Sequence, residues 1–134
     1  MRTSALTHIG MSVPVGSLTP QHRTDILAFY GDAFGWKEMR GVSNAERLTI
    51  LIGAQSYINL REKVEHQPMS YEHFGVLVDS ADEVESRWTR VTELGASPEP
   101  LKSAADAYPS FKFQHLLPMG IEVQHFPSGQ LGRD

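Results

Sequence analysis

The 134-residue sequence contains no cysteine. That excludes a disulfide framework, a zinc–thiolate site, an iron–sulfur cluster and a thiol nucleophile, and it fits a reducing compartment. There is no run of Lys or Arg, and 12 basic residues against 16 acidic ones leave a net charge of −4. The electrostatic footprint of a nucleic-acid binder is therefore missing. No apolar stretch approaches the roughly 18 residues of a membrane span. The opening Met1 to His8 lacks the apolar segment of a signal peptide, so the expectation is a soluble cytoplasmic domain. There is no Gly-rich phosphate loop, and no Ser-His-Asp order has a supporting context.

What remains is ordinary globular composition, 40% apolar and 21% charged, which argues against disorder over most of the chain. The length suits a single domain, 1–134, and is too short for two ordinary domains side by side. A chain of this size buries roughly two-thirds of its unfolded surface, enough for one sizeable core.

An internal repeat is the most informative feature. His8-Ile9-Gly10-Met11-Ser12-Val13 matches His73-Phe74-Gly75-Val76-Leu77-Val78, both reading His-apolar-Gly-x-x-Val, 65 residues apart. Tyr57-Ile58-Asn59-Leu60-Arg61 aligns with Gly120-Ile121-Glu122-Val123-Gln124 in the same order, 63 residues apart. Each half parses as β-α-β-β-β. Module one, about 5–61, begins with a strand over 5–13. Thr19 and Pro20 then open a helix with apolar Ile26, Phe29, Tyr30, Ala33 and Phe34, and Gly35 stops it. Strands follow at about 36–42, 46–53 and 55–61. Module two, about 72–126, begins with a strand over 72–78. Ser80 and Glu83 form a capping box for a helix whose stripe is Val84, Trp88, Val91 and Leu94, ended by Gly95. Ser97-Pro98-Glu99-Pro100 allows at most a short edge strand. Strands over 108–117 and 120–126 complete the half, and the tail from Pro127 reads as loosely attached.

Strand parity sorts the side chains. Ile9, Met11, Val13, Ile58, Leu60, Phe74, Val76, Ile121 and Val123 fit the helix-covered faces. His8, Asn59, His73 and Glu122 fall on the opposite face, where Tyr57, Arg61, Gln124 and Phe126 share their parity. Two imidazoles and a carboxylate make a 2-His-1-carboxylate set suited to Fe(II), Mn(II), Co(II), Ni(II) or Zn(II), with open positions for substrate. The metal candidates are thus His8, His73 and Glu122. His22 and His66 read as solvated, His125 as structural, and Trp36 and Trp88 as core.

Paired β-α-β-β-β modules with His opening the first and fifth strands and Glu on the eighth resemble the vicinal oxygen chelate superfamily. That group includes glyoxalase I, bleomycin- and fosfomycin-resistance proteins, methylmalonyl-CoA epimerase and extradiol dioxygenases. The likeness runs from Leu6 to Phe126, and Phe29-Tyr30 to Gly35-Trp36 is similar to the family's helix-to-strand passage. It implies an α+β fold, with the two modules forming a cupped mixed sheet and a helix packed outside each module. It further implies a divalent-metal enzyme, dioxygenase- or lyase/isomerase-like, acting on a small oxygen-chelating molecule as a homodimer. In that reading Asn59 and Tyr57 serve catalysis, and Arg61, Gln124 and Phe126 contact substrate. The alternative is a drug- or metabolite-sequestering protein of the bleomycin-resistance type.

The departures matter. Glyoxalase I-like members carry a Glu at the position of Asn59, and Asn has no carboxylate to act as base. Extradiol dioxygenases place a Tyr where Gln114 stands, which leaves Tyr108 or His115 as substitutes, although His115 shares parity with Phe111 and Phe113. Fosfomycin-type members use a basic, potassium-assisted loop, for which Lys102 to Ser110 offers a single Lys. Bleomycin-binding members lack the triad, which is intact here.

Overall fold

Met11 and Val13 are buried while His8 and Gly10 are exposed, and this alternation forms the first strand, β1 (His8–Val13). The computed structural model describes residues 4–103, 105 and 108–127. The chain divides into two units, Met1–Pro68 and Met69–Asp134.

In the first unit, helix α1 (Pro20–Phe34) starts at Thr19, whose hydroxyl accepts from the His22 N–H at 3.1 Å, with Pro20 in the first turn. It ends at Gly35, held at φ +73, whose N–H donates to the Gly31 carbonyl. An L side chain resists that left-handed conformation, so glycine is the natural stop. Ile26, Phe29, Tyr30 and Ala33 form the buried stripe of α1. Tyr30 stacks on Trp36 with ring centroids 5.0 Å apart, and burial pushes its phenol well above the usual tyrosine value. Trp36 is a core residue, as its apolar setting suggested.

The sheet of this unit adds β2 (Lys37–Glu38), β3 (Arg47–Leu51) and β4 (Tyr57–Glu62). Its order is β1-β4-β3-β2, with β1 and β4 parallel and the other pairs antiparallel. The strand expected over 36–42 is only two residues long, because the Val42 and Ser43 amides turn back onto the Met39 carbonyl. Leu48, Ile50, Ile58 and Leu60 are wholly buried on one face. At about 1.5–3 kcal/mol for each such side chain, that burial fixes the register. A one-residue slip would turn the whole set to the other side.

In the second unit, β5 (His73–Leu77) leads to α2 (Ala81–Glu93), then β6 (Ser110–Phe113) and β7 (Gly120–Gln124). Strand order is β5-β7-β6, with β5 parallel to β7. The Ser80 hydroxyl accepts from the Glu83 N–H at 3.1 Å, one half of the expected capping box. Val84 and Val91 of α2 are buried, and the helix packs on β6 and β7. Trp88 is half-buried, its indole N–H donating to the Glu99 carbonyl at 3.0 Å.

This unit has three strands among the described residues, against the four expected. The edge position beside β6 carries only the Glu99 N–H to Lys112 carbonyl bond and an isolated Lys102–Ser110 bridge. Pro98 and Pro100 have no N–H to extend that ladder. The strand expected over 108–117 is cut to four residues. Pro109 precedes it, and beyond it Leu116 adopts φ 63, while the Gln114 amide donates to the Leu117 and Pro118 carbonyls. No helix among the described residues is long and apolar enough to cross a membrane.

Candidate metal centre and binding face

The repeat seen in the sequence recurs as ladder register. In the first unit Gly10 of β1 pairs with Asn59 of β4. In the second Gly75 of β5 pairs with Glu122 of β7. Asn59 and Glu122 therefore occupy the same position in their modules, each two residues along the ladder from the partner of its histidine. Antiparallel pairing then sets Thr49 of β3 opposite Asn59, and Lys112 of β6 opposite Glu122. Thr49, Ser110 and Glu122 are the buried polar residues among those described: Thr49 lies on the Asn59 side of the first sheet, Ser110 on the Glu122 side of the second.

In the second unit His73 and Glu122 come together: His73 Nε2 lies 3.6 Å from Glu122 Oε1. His73 Nδ1 is 3.0 Å from the Tyr71 carbonyl. A carbonyl only accepts, so Nδ1 carries the hydrogen. A neutral ring then turns the Nε2 lone pair toward a carboxylate oxygen. Two electron-rich atoms face each other, an arrangement that a proton on His73 or a cation between them would satisfy. Glu122 Oε2 accepts from the Tyr108 hydroxyl at 3.2 Å, and the Tyr108 ring packs on Phe126 at 4.7 Å. The Glu72 carboxylate accepts from the Ser70 and Tyr71 amides at 3.2 Å. Together with its own N–H, these bonds hold Glu72 below the usual carboxylate range. Glu72 thereby organises the turn whose Tyr71 carbonyl orients His73. A buried carboxylate, a free imidazole nitrogen and a carbonyl-anchored Nδ1 are the donor set and outer hydrogen bonding of a divalent-metal ligand pair.

In the first unit His8 is exposed, with Nδ1 3.0 Å from the Thr7 hydroxyl. Its ring stacks on Tyr57 at 5.0 Å and 7°. Like His73, it uses Nδ1 on a neighbour just upstream and leaves Nε2 open. The Thr49 hydroxyl donates to Asn59 Oδ1 at 2.5 Å. Asn59 thus engages its carbonyl with Thr49, and its remaining capacity is as an N–H donor. Arg61 is exposed, and a cavity of about 280 Å³ is lined by His8, Asn59 and Arg61 among others. Among the described residues, no group of three His, Asp or Glu side chains is gathered closely enough to hold a metal ion.

Gln124 lies across Gly75: a Cβ at Gly75 would come within 2.6 Å of Gln124 Oε1. His66, expected to be solvated, is half-buried, with Nδ1 2.8 Å from the Ser12 hydroxyl. His22 sits half-buried in the first turns of α1. His125 is structural, its Nδ1 3.1 Å from the Val78 carbonyl. The residue the sequence reading passed over is Lys112. It lines both a cavity of about 440 Å³ containing His73 and one of about 310 Å³ containing Glu122. Its alternation with Phe111 and Phe113 was the available signal.

No family model and no curated protein sequence matches the chain. Solved structures do. The fosfomycin resistance protein FosX from Listeria monocytogenes superposes with a TM-score of 0.69 at 21% identity, over 96% of this chain and 98% of its own. Lactoylglutathione lyase from Agrobacterium tumefaciens gives 0.71 at 18% identity, over 100% of both chains. FosX from Mesorhizobium loti gives 0.67 at 20% identity, over 97% and 98%. At such identities the likeness is one of fold. The chain shares with these structures a mixed α+β fold of two modules, each with a helix and a small mixed sheet. A point mutant of the Listeria protein has also been solved with Mn(II) and 1S,2S-dihydroxypropylphosphonic acid, and that structure superposes here with a TM-score of 0.71 at 21% identity.

Proposed function

We propose that the chain is a divalent-metal-dependent enzyme, dioxygenase- or lyase/isomerase-like, acting on a small oxygen-chelating molecule. His8, His73 and Glu122 are its protein ligands, for Fe(II), Mn(II), Ni(II), Co(II) or Zn(II). The observation that carries the reading is the His73–Glu122 pair, an Nε2 and a carboxylate oxygen 3.6 Å apart with no protein donor between them. A bound ion would supply Lewis acidity toward a substrate oxygen. His8 enters as third ligand by its repeat equivalence to His73 and by the family resemblance.

The remaining roles belong to the chain's own groups. The Tyr71 carbonyl and the Thr7 hydroxyl hold the two imidazoles by Nδ1. Tyr57 orients the His8 ring by stacking. Tyr108 steadies Glu122, and its hydroxyl is able to pass a proton to or from a bound molecule. Asn59 donates to a substrate oxygen but cannot abstract a proton, which argues against glyoxalase I isomerisation. Arg61, Gln124 and Phe126 bind substrate. The assembly is taken as a homodimer, checked by light scattering.

The test is metal analysis of protein purified without chelators or a His-rich tag. About one divalent ion per chain is expected, with severe loss in His8→Ala, His73→Ala and Glu122→Ala and none in His22→Ala. A metal-free protein that binds planar apolar molecules would be a sequestering protein instead.

A further inference from the structure

We infer that the open face of module one is a subsite for an oxyanion, a carboxylate or a phosphoryl-type group, on the substrate of the enzyme proposed above; the inference rests on that reading only for the word substrate. The chain is acidic overall, with 12 basic against 16 acidic residues. Yet the cavity of about 280 Å³ on this face is lined by Arg47, Arg61 and Lys63, and by no Asp or Glu. Arg47 and Arg61 are direct cross-strand partners on β3 and β4. Like charges so placed oppose pairing, so an anion between them would relieve the sheet.

Two carboxylates adjoin these basic residues in sequence, exposed Glu46 before Arg47 and Glu62 between Arg61 and Lys63, and neither lines the cavity. Glu62 accepts from the Leu18 N–H at 2.9 Å, and the Leu18 and Gly16 amides with Arg23 hold it below the usual carboxylate range. Arg61 and Lys63 have no side-chain hydrogen bond or ion pair among the described residues, and Arg47 spends only Nε, on the Val42 carbonyl at 2.9 Å. Asn59 also lines the cavity, and with its carbonyl accepting from the Thr49 hydroxyl its amide adds N–H donors to the set. The lining is therefore rich in donors whose charges are unspent, in the fork-and-point arrangement that recognises oxyanions.

The experiment titrates metal-free protein with inorganic phosphate and, separately, acetate, followed by backbone amide shifts. Saturable binding is expected, with shifts confined to residues 8–12, 47–49 and 59–63, and weakened by added chloride salt. Arg61→Ala/Lys63→Ala should weaken it at least ~10-fold, Arg61→Lys less, and Arg40→Ala on the β2–β3 turn not at all. The stronger of the two probes names the phosphoryl or the carboxylate source. No saturable binding of either, or binding indifferent to the double substitution, overturns the inference. Metal analysis of wild type beside the phosphate titration separates the readings. If wild type takes up no metal while phosphate still binds through Arg61, the enzyme reading falls and the anion site stands. If metal binds and phosphate does not, the reverse holds.

Discussion

Tyr108 and Glu122, 14 residues apart in sequence, meet through a hydroxyl that donates to the carboxylate at 3.2 Å. The carboxylate's other oxygen faces His73. Tyr108 is thus a positioning residue for the proposed ligand. Outer hydrogen bonds of this kind carry about 10- to 100-fold in metal affinity. Tyr108→Phe keeps the ring against Phe126 and removes only the donor. Its metal affinity should fall by about 10-fold, with little change in melting temperature. Unchanged affinity in a metal titration would mean that Glu122 is oriented by the sheet alone.

Acid should weaken the fold through two carboxylates. Glu62 and Glu72 both sit below their ordinary value of 4.5, chiefly because backbone N–H groups bond the ionised form. A group whose pKa is depressed on folding stabilises the native state above its unfolded value. That contribution is lost as pH falls through the lower folded value. Wild type should therefore lose stability as the pH falls below the ordinary carboxylate value of 4.5. Glu62→Gln/Glu72→Gln should be less stable at neutral pH and flatter across that range. Denaturant melts at several pH values check this, and parallel curves for both proteins would count against it.

Much of this was readable from residue types alone. Thr19, Pro20 and Gly35 bracket α1, and Ser80 opens α2, because capping depends on local chemistry. Period-two alternation put His8, Asn59, His73 and Glu122 away from the helix-covered face, since one apolar face fixes the other. Alternation does not say which residue stands opposite on the neighbouring strand. The Thr49–Asn59 bond, the Arg47–Arg61 pair and the Lys112–Glu122 register are facts of pairing, and no one-strand pattern contains them. The Tyr108 contact and the Ser12–His66 bond were hidden for a different reason. Both depend on the path of a loop, which turn residues bound but do not draw. The shortened strands follow from the Met39 turn and from Leu116 at positive φ, where β-propensity gave way to loop geometry.

Gly75 offers a sharp local test. A Cβ there would meet Gln124 Oε1 at 2.6 Å, whereas one at the repeat-equivalent Gly10 would meet nothing within 4 Å. The clash is with the flexible end of a side chain, so Gly75→Ala should fold, at a cost of about 1 kcal/mol or less. The Gln124 side-chain amide resonances should move. Gly75→Ala in a Gln124→Ala background should cost no more than Gly10→Ala does, because the shared contact is gone. Additive melting-temperature shifts in that double substitution would show that Gln124 does not lie over Gly75.

Asn59 decides between chemistries. It takes the ladder position that Glu122 takes in the other module, but its carbonyl is held by the Thr49 hydroxyl. Asn59→Ala should then leave metal affinity close to wild type, because little ligand capacity is removed. Asn59→Glu adds a carboxylate one methylene longer, to which Thr49 can still donate. It should bind metal more tightly at neutral pH, and that gain should vanish on acidification as the carboxylates and imidazoles protonate. Co(II) spectra should shift in Asn59→Glu alone, as a fourth protein ligand occupies a position otherwise open to substrate. Wild type should show no isomerisation of the methylglyoxal–glutathione adduct, for want of a base at 59. Thr49→Val provides the internal control. It should free the Asn59 carbonyl and raise metal affinity slightly if that oxygen is within reach of the ion. Identical titrations and spectra for all four proteins would set Asn59 outside the metal's surroundings, and the equivalence of the two modules would then end at the fold.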